Sequence, residues 1–255
     1  MSFTANYTLS RALDQFGLNQ EGFAIGASYG GSNSANSYDF NYDYGPALSD
    51  RTHVFNALFN YELPFGKGRR WGFGNAALDR TLGGWYLSGI YTANSGLPLT
   101  VGQHQQAFGG DPSDYSITAG AIPKGKLDFA NAVNSSVGVN GVGTNAGGTG
   151  AGLNYFANPE AAYNNFRFIR ISEDTRHGRG VLRGFPRWNL DLSIGKKTNI
   201  TERIKTVFSF DMINALNRVE FADPAMDLRN RGAFGVITSQ FASPRQIQAG
   251  LRFEF

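Results

Sequence analysis

The chain contains no cysteine and only three histidines, so neither a disulfide framework nor a Cys-based metal site is available. Charged residues are scarce at 17%, against roughly a quarter in ordinary soluble domains. The net charge of +3 is too small to argue for nucleic acid on its own. No apolar run approaches the ~18 residues that a membrane helix needs. The opening residues, Met1-Ser-Phe-Thr-Ala-Asn-Tyr7, have neither a basic stretch nor an apolar core, so no secretory signal is visible there. What is plentiful is glycine, with 33 residues, and aromatics at 14%, mostly Phe and Tyr. At 255 residues the chain has room for one large domain or two modest ones.

The most informative stretch is the last, Ile247-Gln-Ala-Gly-Leu-Arg-Phe-Glu-Phe255. Ile247, Ala249, Leu251, Phe253 and Phe255 fall on one face, and Gln248, Gly250, Arg252 and Glu254 on the other. Alternation with period two marks a β-strand with one apolar and one wet side. The same pattern recurs over residues 3–10, 54–63, 85–94, 188–195 and 204–213, giving six strands. Each is close to the ~9–11 residues that a tilted strand needs to cross a bilayer. A core strand of a soluble protein is the alternative reading of any one of them. Together they predict an all-β fold: an antiparallel transmembrane β-barrel segment of about 6–8 strands.

The connections alternate long, short, long, short, long. Long loops span about 14–50, 96–184 and 215–243, and short connections run over Pro64–Gly84 and Lys196–Arg203. Bacterial barrels place long loops outside and short turns in the periplasm. On that sidedness Tyr61, Trp85 and Phe255 belong to the periplasmic aromatic girdle and Trp188 to the outer one. A hairpin centred near Asn199–Ile200 would set Leu190 beside Phe210 and Leu192 beside Phe208 on the lipid face. It would also set Asn189 beside Asp211 and Asp191 beside Ser209 on a hydrated face.

Residues with reactive chemistry are scattered. His53, His104 and His177 show no ligand spacing, so no metal is expected and solvated loop or rim positions are the plain reading. Arg176-His177-Gly-Arg179 with Glu173 and Asp174 reads as a charged loop. Gly138–Gly152 lacks the Gly-Lys-Ser/Thr ending of a phosphate loop and reads as a flexible linker. The basic cluster Lys67, Arg69, Arg70 has no basic helix or stacking aromatics around it, which favours a turn near phospholipid over nucleic acid. No nucleophile–base pair stands out, so the expectation is a protein that is not an enzyme, with no catalytic residue and no cofactor.

Several segments taken together resemble a known family. They are Tyr42-Asp-Tyr-Gly-Pro46 with Asp50-Arg-Thr-His53, Tyr61-Glu-Leu-Pro-Phe-Gly-Lys-Gly-Arg-Arg70, and Gly83-Gly-Trp-Tyr-Leu-Ser-Gly89 with Ser95-Gly-Leu-Pro98. Further on come Arg183-Gly-Phe-Pro-Arg-Trp-Asn-Leu-Asp-Leu-Ser193, Thr201-Glu-Arg203, Asn214-Ala-Leu-Asn217 and Pro244-Arg-Gln-Ile-Gln248. Their order and spacing resemble the C-terminal barrel of TonB-dependent outer-membrane receptors of the Oar-like type, which carry a carboxypeptidase-regulatory-like domain. The resemblance covers roughly residues 1–101 and 155–255. It implies the bacterial outer membrane, a larger plugged barrel, and uptake of a ligand that nothing here identifies. Partners on this reading are outer-membrane lipid, the barrel-assembly machinery, and TonB through an N-terminal part. The plug domain and signal peptide are absent from the sequence, so this chain would be a barrel portion unable to transport alone. In the family the terminal pattern, here Ile247, Ala249, Leu251, Phe253 and Phe255, would be the membrane-insertion signal.

Two other readings remain. One is a complete small barrel, a pore or adhesin, with marginal extra strands at Gly22–Tyr29 and Phe166–Ile171. The other is a soluble all-β binding module whose apolar faces pack sheet on sheet. For a barrel portion standing alone, the loops are expected to be disordered.

Overall fold

A computed structural model of the chain describes residues 1–15, 39–72, 74–102, 120–126, 146, 153–170, 173–201 and 203–255. Six strands form one antiparallel sheet in chain order. They are β1 (Ser2–Leu9), β2 (His53–Glu62), β3 (Trp85–Asn94), β4 (Arg187–Asn199), β5 (Lys205–Ile213) and β6 (Gln246–Glu254). Among the described residues β1 and β6 are each paired on one edge only, so the sheet is open.

Register carries the sequence pattern across the whole wall. Tyr61, Leu87, Ile194, Phe210 and Ala249 stand side by side on neighbouring strands of one face. Ser2, Asn60, Ser88, Ser193, Asp211 and Gln248 form a continuous row on the other. A slip of one residue in any pair would have turned that strand's apolar set to the wrong side. Gly195 and Gly89 open room on the two faces. A Cβ on Gly195 would lie 2.0 Å from the Tyr86 ring, and one on Gly89 would lie 2.6 Å from the Phe59 ring.

The hairpin between β4 and β5 corrects the expected register. Leu192 pairs with Met212, Ile194 with Phe210 and Asn199 with Lys205. The chain therefore reverses between Ile200 and Ile204, Ile200 N–H donating to Ile204 O at 2.9 Å. Lys196 and Lys197 look like turn residues by charge, but both lie within β4. The slide is two residues on each strand, an even number, so the faces are kept and only the partners change. The other short connection also holds more than a turn: α1 (Ala76–Leu82) is capped by the Asn75 side chain, which accepts from Ala77 N–H.

The long loops leave from the opposite end of the sheet, and their described parts are packed. Short ribbons join Pro98–Leu99 to Leu182–Arg183, Ile122–Pro123 to Phe166–Arg167, and Leu153–Asn154 to Val236–Ile237. Helix α2 (Pro159–Asn164) sits among them, its first turn closed by Asn158. Val101, Tyr155, Phe156, Phe166, Leu228 and Phe234 are buried together here. Phe156 stacks on Phe234 with centroids 5.3 Å apart, and Tyr155 meets Phe156 edge-on at 5.0 Å. The expectation of disordered loops thus fails where the loops are described. Phe166–Arg167 is a two-residue strand in this cap, paired with Ile122–Pro123, and not a barrel strand. Gly22–Tyr29 lies outside the described residues, as does Gly138–Gly152 apart from Ala146, which is buried in the cap.

This arrangement inverts a soluble protein. The buried apolar core is in the loops, while Phe3, Leu9, Ile247, Leu251 and Phe253 on the sheet stay exposed. Leu190, Leu192, Phe208 and Phe210 are not buried under a second sheet, because the other sheets are two-stranded ribbons. An apolar face of that extent left open marks a membrane or partner surface. Overpacking Tyr86 against its own sheet should weaken the wall. Gly195→Val is expected to cost about 1–3 kcal/mol, read as a lower urea midpoint of the heat-modifiable folded form, with Gly72→Val as the comparison, because a Cβ there meets nothing nearer than 3.6 Å and the backbone φ is not positive.

Candidate functional site

Two regions concentrate polar chemistry: the non-apolar face of the wall and the base of the loop cap. The first curls into a groove of about 530 Å³ where Asn60, Ser88, Asp191, Ser193 and Asp211 are joined by Leu58, Ile90 and Ile213. The wall is therefore concave toward its polar side, the curvature of a barrel with a hydrated interior. Its carboxylates are held by neighbours. Asp211 accepts from Ser193 Oγ and, at 3.1 Å, from Ser209 Oγ. Asp191 accepts from Asn189 Nδ2 at 2.7 Å and from Asn214 N–H at 2.9 Å. Asp191 and Asp211 thus face the wet side as the alternation required, though the partners differ from those expected.

Asn214 explains a motif. Asn214 and Asn217 both adopt left-handed backbone, with φ of 51° and 50°, a region asparagine tolerates better than most residues. Asn214 Nδ2 donates to Arg218 O at 2.9 Å and Ser243 O at 3.1 Å, and its Oδ1 accepts from Arg218 N–H. Asn217 Oδ1 accepts from Arg245 N–H at 3.0 Å. Together they fasten the start of the last long loop to its end, which fixes where β6 begins.

At the base of the cap three acid–base pairs join the first long loop to the second. Asp43 meets His177 Nε2 at 3.0 Å, with both side chains essentially buried at 2% and 0% exposure. Asp14 meets Arg179 at 2.5 Å, and Arg179 also donates to the Pro46 and Asp43 carbonyls. Asp50, fully buried, meets Arg183 at 2.5 Å and accepts from Ala12 N–H at 2.7 Å. His177 is therefore not a solvated loop histidine, and Arg176–Arg179 is not simply a charged loop. The segment turns inward because Gly120 N–H donates to His177 Nδ1 at 3.0 Å, leaving Nε2 for Asp43. Nothing local in the sequence signals a contact between residues 134 positions apart. His53, by contrast, is exposed at the rim beside Tyr7 Oη at 2.8 Å, and His104 lies outside the described residues.

Burial pushes the Asp50 carboxyl up, but the Ala12 N–H and the Arg183 guanidinium outweigh it and leave its pKa lowered. Asp174 is lowered first by its hydrogen bonds to Arg167, which outweigh burial, with the Arg170 N–H adding to them. Tyr42 is pushed up to about 12, chiefly by burial and then by the nearby Asp174 and Asp43 charges. It stays a neutral phenol packed against His177, with ring centroids 6.1 Å apart. Among the described residues no cluster of three or more His, Cys, Asp or Glu could hold a metal.

The residues singled out in the sequence lie as follows. Ile247, Ala249, Leu251 and Phe253 stand on the apolar face opposite Met212, Phe210, Phe208 and Thr206, with Phe255 exposed just beyond. Tyr61 pairs with Leu87, and Trp85 with Lys196, on that same face. Trp188 is at the far end, its ring 4.5 Å beneath the Arg218 guanidinium.

Two outcomes follow for the cap. Arg183→Ala is expected to destabilise it by about 2–3 kcal/mol, less than the ~3–5 of a fully buried pair because Arg183 is partly exposed. Carboxylates with lowered pKa stabilise the fold above their unfolded value of about 4 and lose that contribution as pH falls through the folded value. Amide exchange at Ala12 and Arg170, whose N–H groups bind Asp50 and Asp174, should therefore lose protection below about pH 4. Unchanged protection at both amides at pH 3 would rule this out.

The family model for an outer membrane beta barrel domain matches residues 1–248. No curated protein and no solved structure matches the chain. With an apolar convex face, a polar concave one and long loops gathered at one end, the chain belongs to the outer membrane beta barrel domain family and resides in the bacterial outer membrane.

Proposed function

We propose that the chain is the C-terminal barrel portion of an energy-coupled, TonB-dependent receptor of the Oar-like type, and not an enzyme. The observation that carries this reading is the six-stranded sheet, whose two outer edges are unpaired among the described residues. A wall exposed to lipid cannot leave backbone N–H and C=O groups unpaired, so a working barrel needs more strands than these. The segments that resemble receptors also sit at structural joints. Asp50 and Arg183, from two separate resemblance segments, form an ion pair in which the carboxylate is buried and the guanidinium partly exposed, and Asn214 and Asn217 close the rim. On this reading the packed cap is the outer vestibule and the groove on the polar face is part of the lumen wall. TonB would act through an N-terminal part, and the transported ligand would be chosen by the loops.

The aromatic girdle in this proposal is Tyr61, Trp85 and Phe255 on the periplasmic side and Trp188 outside. The outward residues of β6, with Phe255, would serve as the stretch read by the barrel-assembly machinery. In the full-length protein Phe255→Ala is then expected to lower outer-membrane assembly more than Phe59→Ala; equal assembly of the two would reject the signal. The receptor reading itself is tested by size. Outer membranes probed with an antibody to residues 102–154 should show a heat-modifiable band several-fold larger than 27.7 kDa. A heat-modifiable band at that mass would favour a small barrel, and a soluble one a binding module.

A further inference from the structure

We infer that the β2–β3 connection is a binding surface for anionic phospholipid of the leaflet on the short-turn side. Helix α1 folds back onto the lipid-facing side of the wall. Trp85 and Lys196, neighbours on the apolar face, both reach its last turn: Trp85 Nε1 donates to Thr81 O at 3.3 Å, and Lys196 Nζ donates to Thr81 O at 2.5 Å and Gly83 O at 3.0 Å. The Lys196 ammonium also lies 4.8 Å from the Trp85 ring. The cation satisfies helix-terminal carbonyls that lipid could not, and so pins the helix at the edge of the apolar face.

So placed, α1 shows the outside an apolar stripe. Leu78 and Leu82, four apart on one helix face, are 45% and 47% exposed, and Trp71 is 51% exposed. In water these would be isolated exposed hydrophobics; here they continue the lipid-facing surface of the wall. Basic groups surround them. Lys67 and Arg80 are exposed and have no ion-pair partner among the described residues. Arg70 lies 5.7 Å over the Trp71 ring, while Arg69 is already paired with Glu62. Exposed leucines on a short helix, an exposed Trp in the segment before it and cations around them make the kind of surface that settles at an acyl–headgroup boundary. The apolar residues select a membrane over a soluble anion, and the cations select an acidic headgroup over a zwitterionic one. The site belongs to the membrane wall and needs neither TonB nor a transported ligand.

The test uses the full-length protein in non-ionic detergent, titrated with phosphatidylglycerol or phosphatidylcholine, with bound lipid read by native mass spectrometry. Phosphatidylglycerol should be retained at roughly tenfold lower concentration. Lys67→Ser/Arg70→Ser/Arg80→Ser should erase that preference, a loss of about one order of magnitude in phosphatidylglycerol binding with phosphatidylcholine binding unchanged. Leu78→Ser/Leu82→Ser should weaken both lipids while keeping the preference. Equal retention of the two lipids by the unmodified protein overturns the inference and requires no variant to fold. A triple variant that folds and binds as before also overturns it. Displacement of phosphatidylglycerol by equimolar inorganic phosphate would do the same, because the surface would then be a free-anion site.

Discussion

The constraint on which the structure depends is that lipid offers no hydrogen bond. A backbone crossing it must be paired strand to strand, and the side chains that meet the hydrocarbon must be predominantly apolar. Residues such as Phe59, Leu87, Ile194, Phe210 and Ala249 meet that demand strand after strand because five consecutive pairings keep the same parity. The opposite face is then free to carry Asn60, Ser88, Ser193 and Asp211, with water in the lumen standing in for a core. Glycine serves the same wall: Gly195 and Gly89 let Tyr86 and Phe59 lie flat across a neighbouring strand.

Because the sheet has no core of its own, cooperative packing moves to the loops. The Phe156–Phe234 stack and its neighbours form a dry interior above the membrane. Buried or half-buried pairs at Asp14, Asp43 and Asp50 tie the first loop to the second. Buried ion pairs are poor sources of net stability, since desolvation offsets most of their attraction. Their value here is geometric, as each charge accepts only a partner at one place and so sets how the loops sit on the rim. At the other end the wall is finished differently. Lys196 closes the end of α1, and a short helix with exposed leucines extends the apolar surface beyond the last strand pair.

The strands were readable because a membrane-crossing strand writes its environment into alternate residues. All six, and the faces of Leu190, Asp191, Phe208 and Asp211, could be taken from period two alone. The β4–β5 partners could not, because Lys196 and Lys197 carry the charge of a turn while serving as strand residues. The cap was not legible either. Its aromatics follow no period, and their packing joins residues such as Phe156 and Phe234 across the chain. His177 read as a rim histidine for the same reason: its partner Asp43 and its donor Gly120 are brought to it only by the fold.

The sequence by itself therefore determined the fold class, the strand positions and the two faces of the wall, since these follow from local alternation. Tertiary structure alone decided the register of the hairpin, the packed cap, the buried acid–base pairs and the placement of α1 against the lipid face. Those depend on contacts between distant segments, and distance along the chain leaves no periodic trace in the residues.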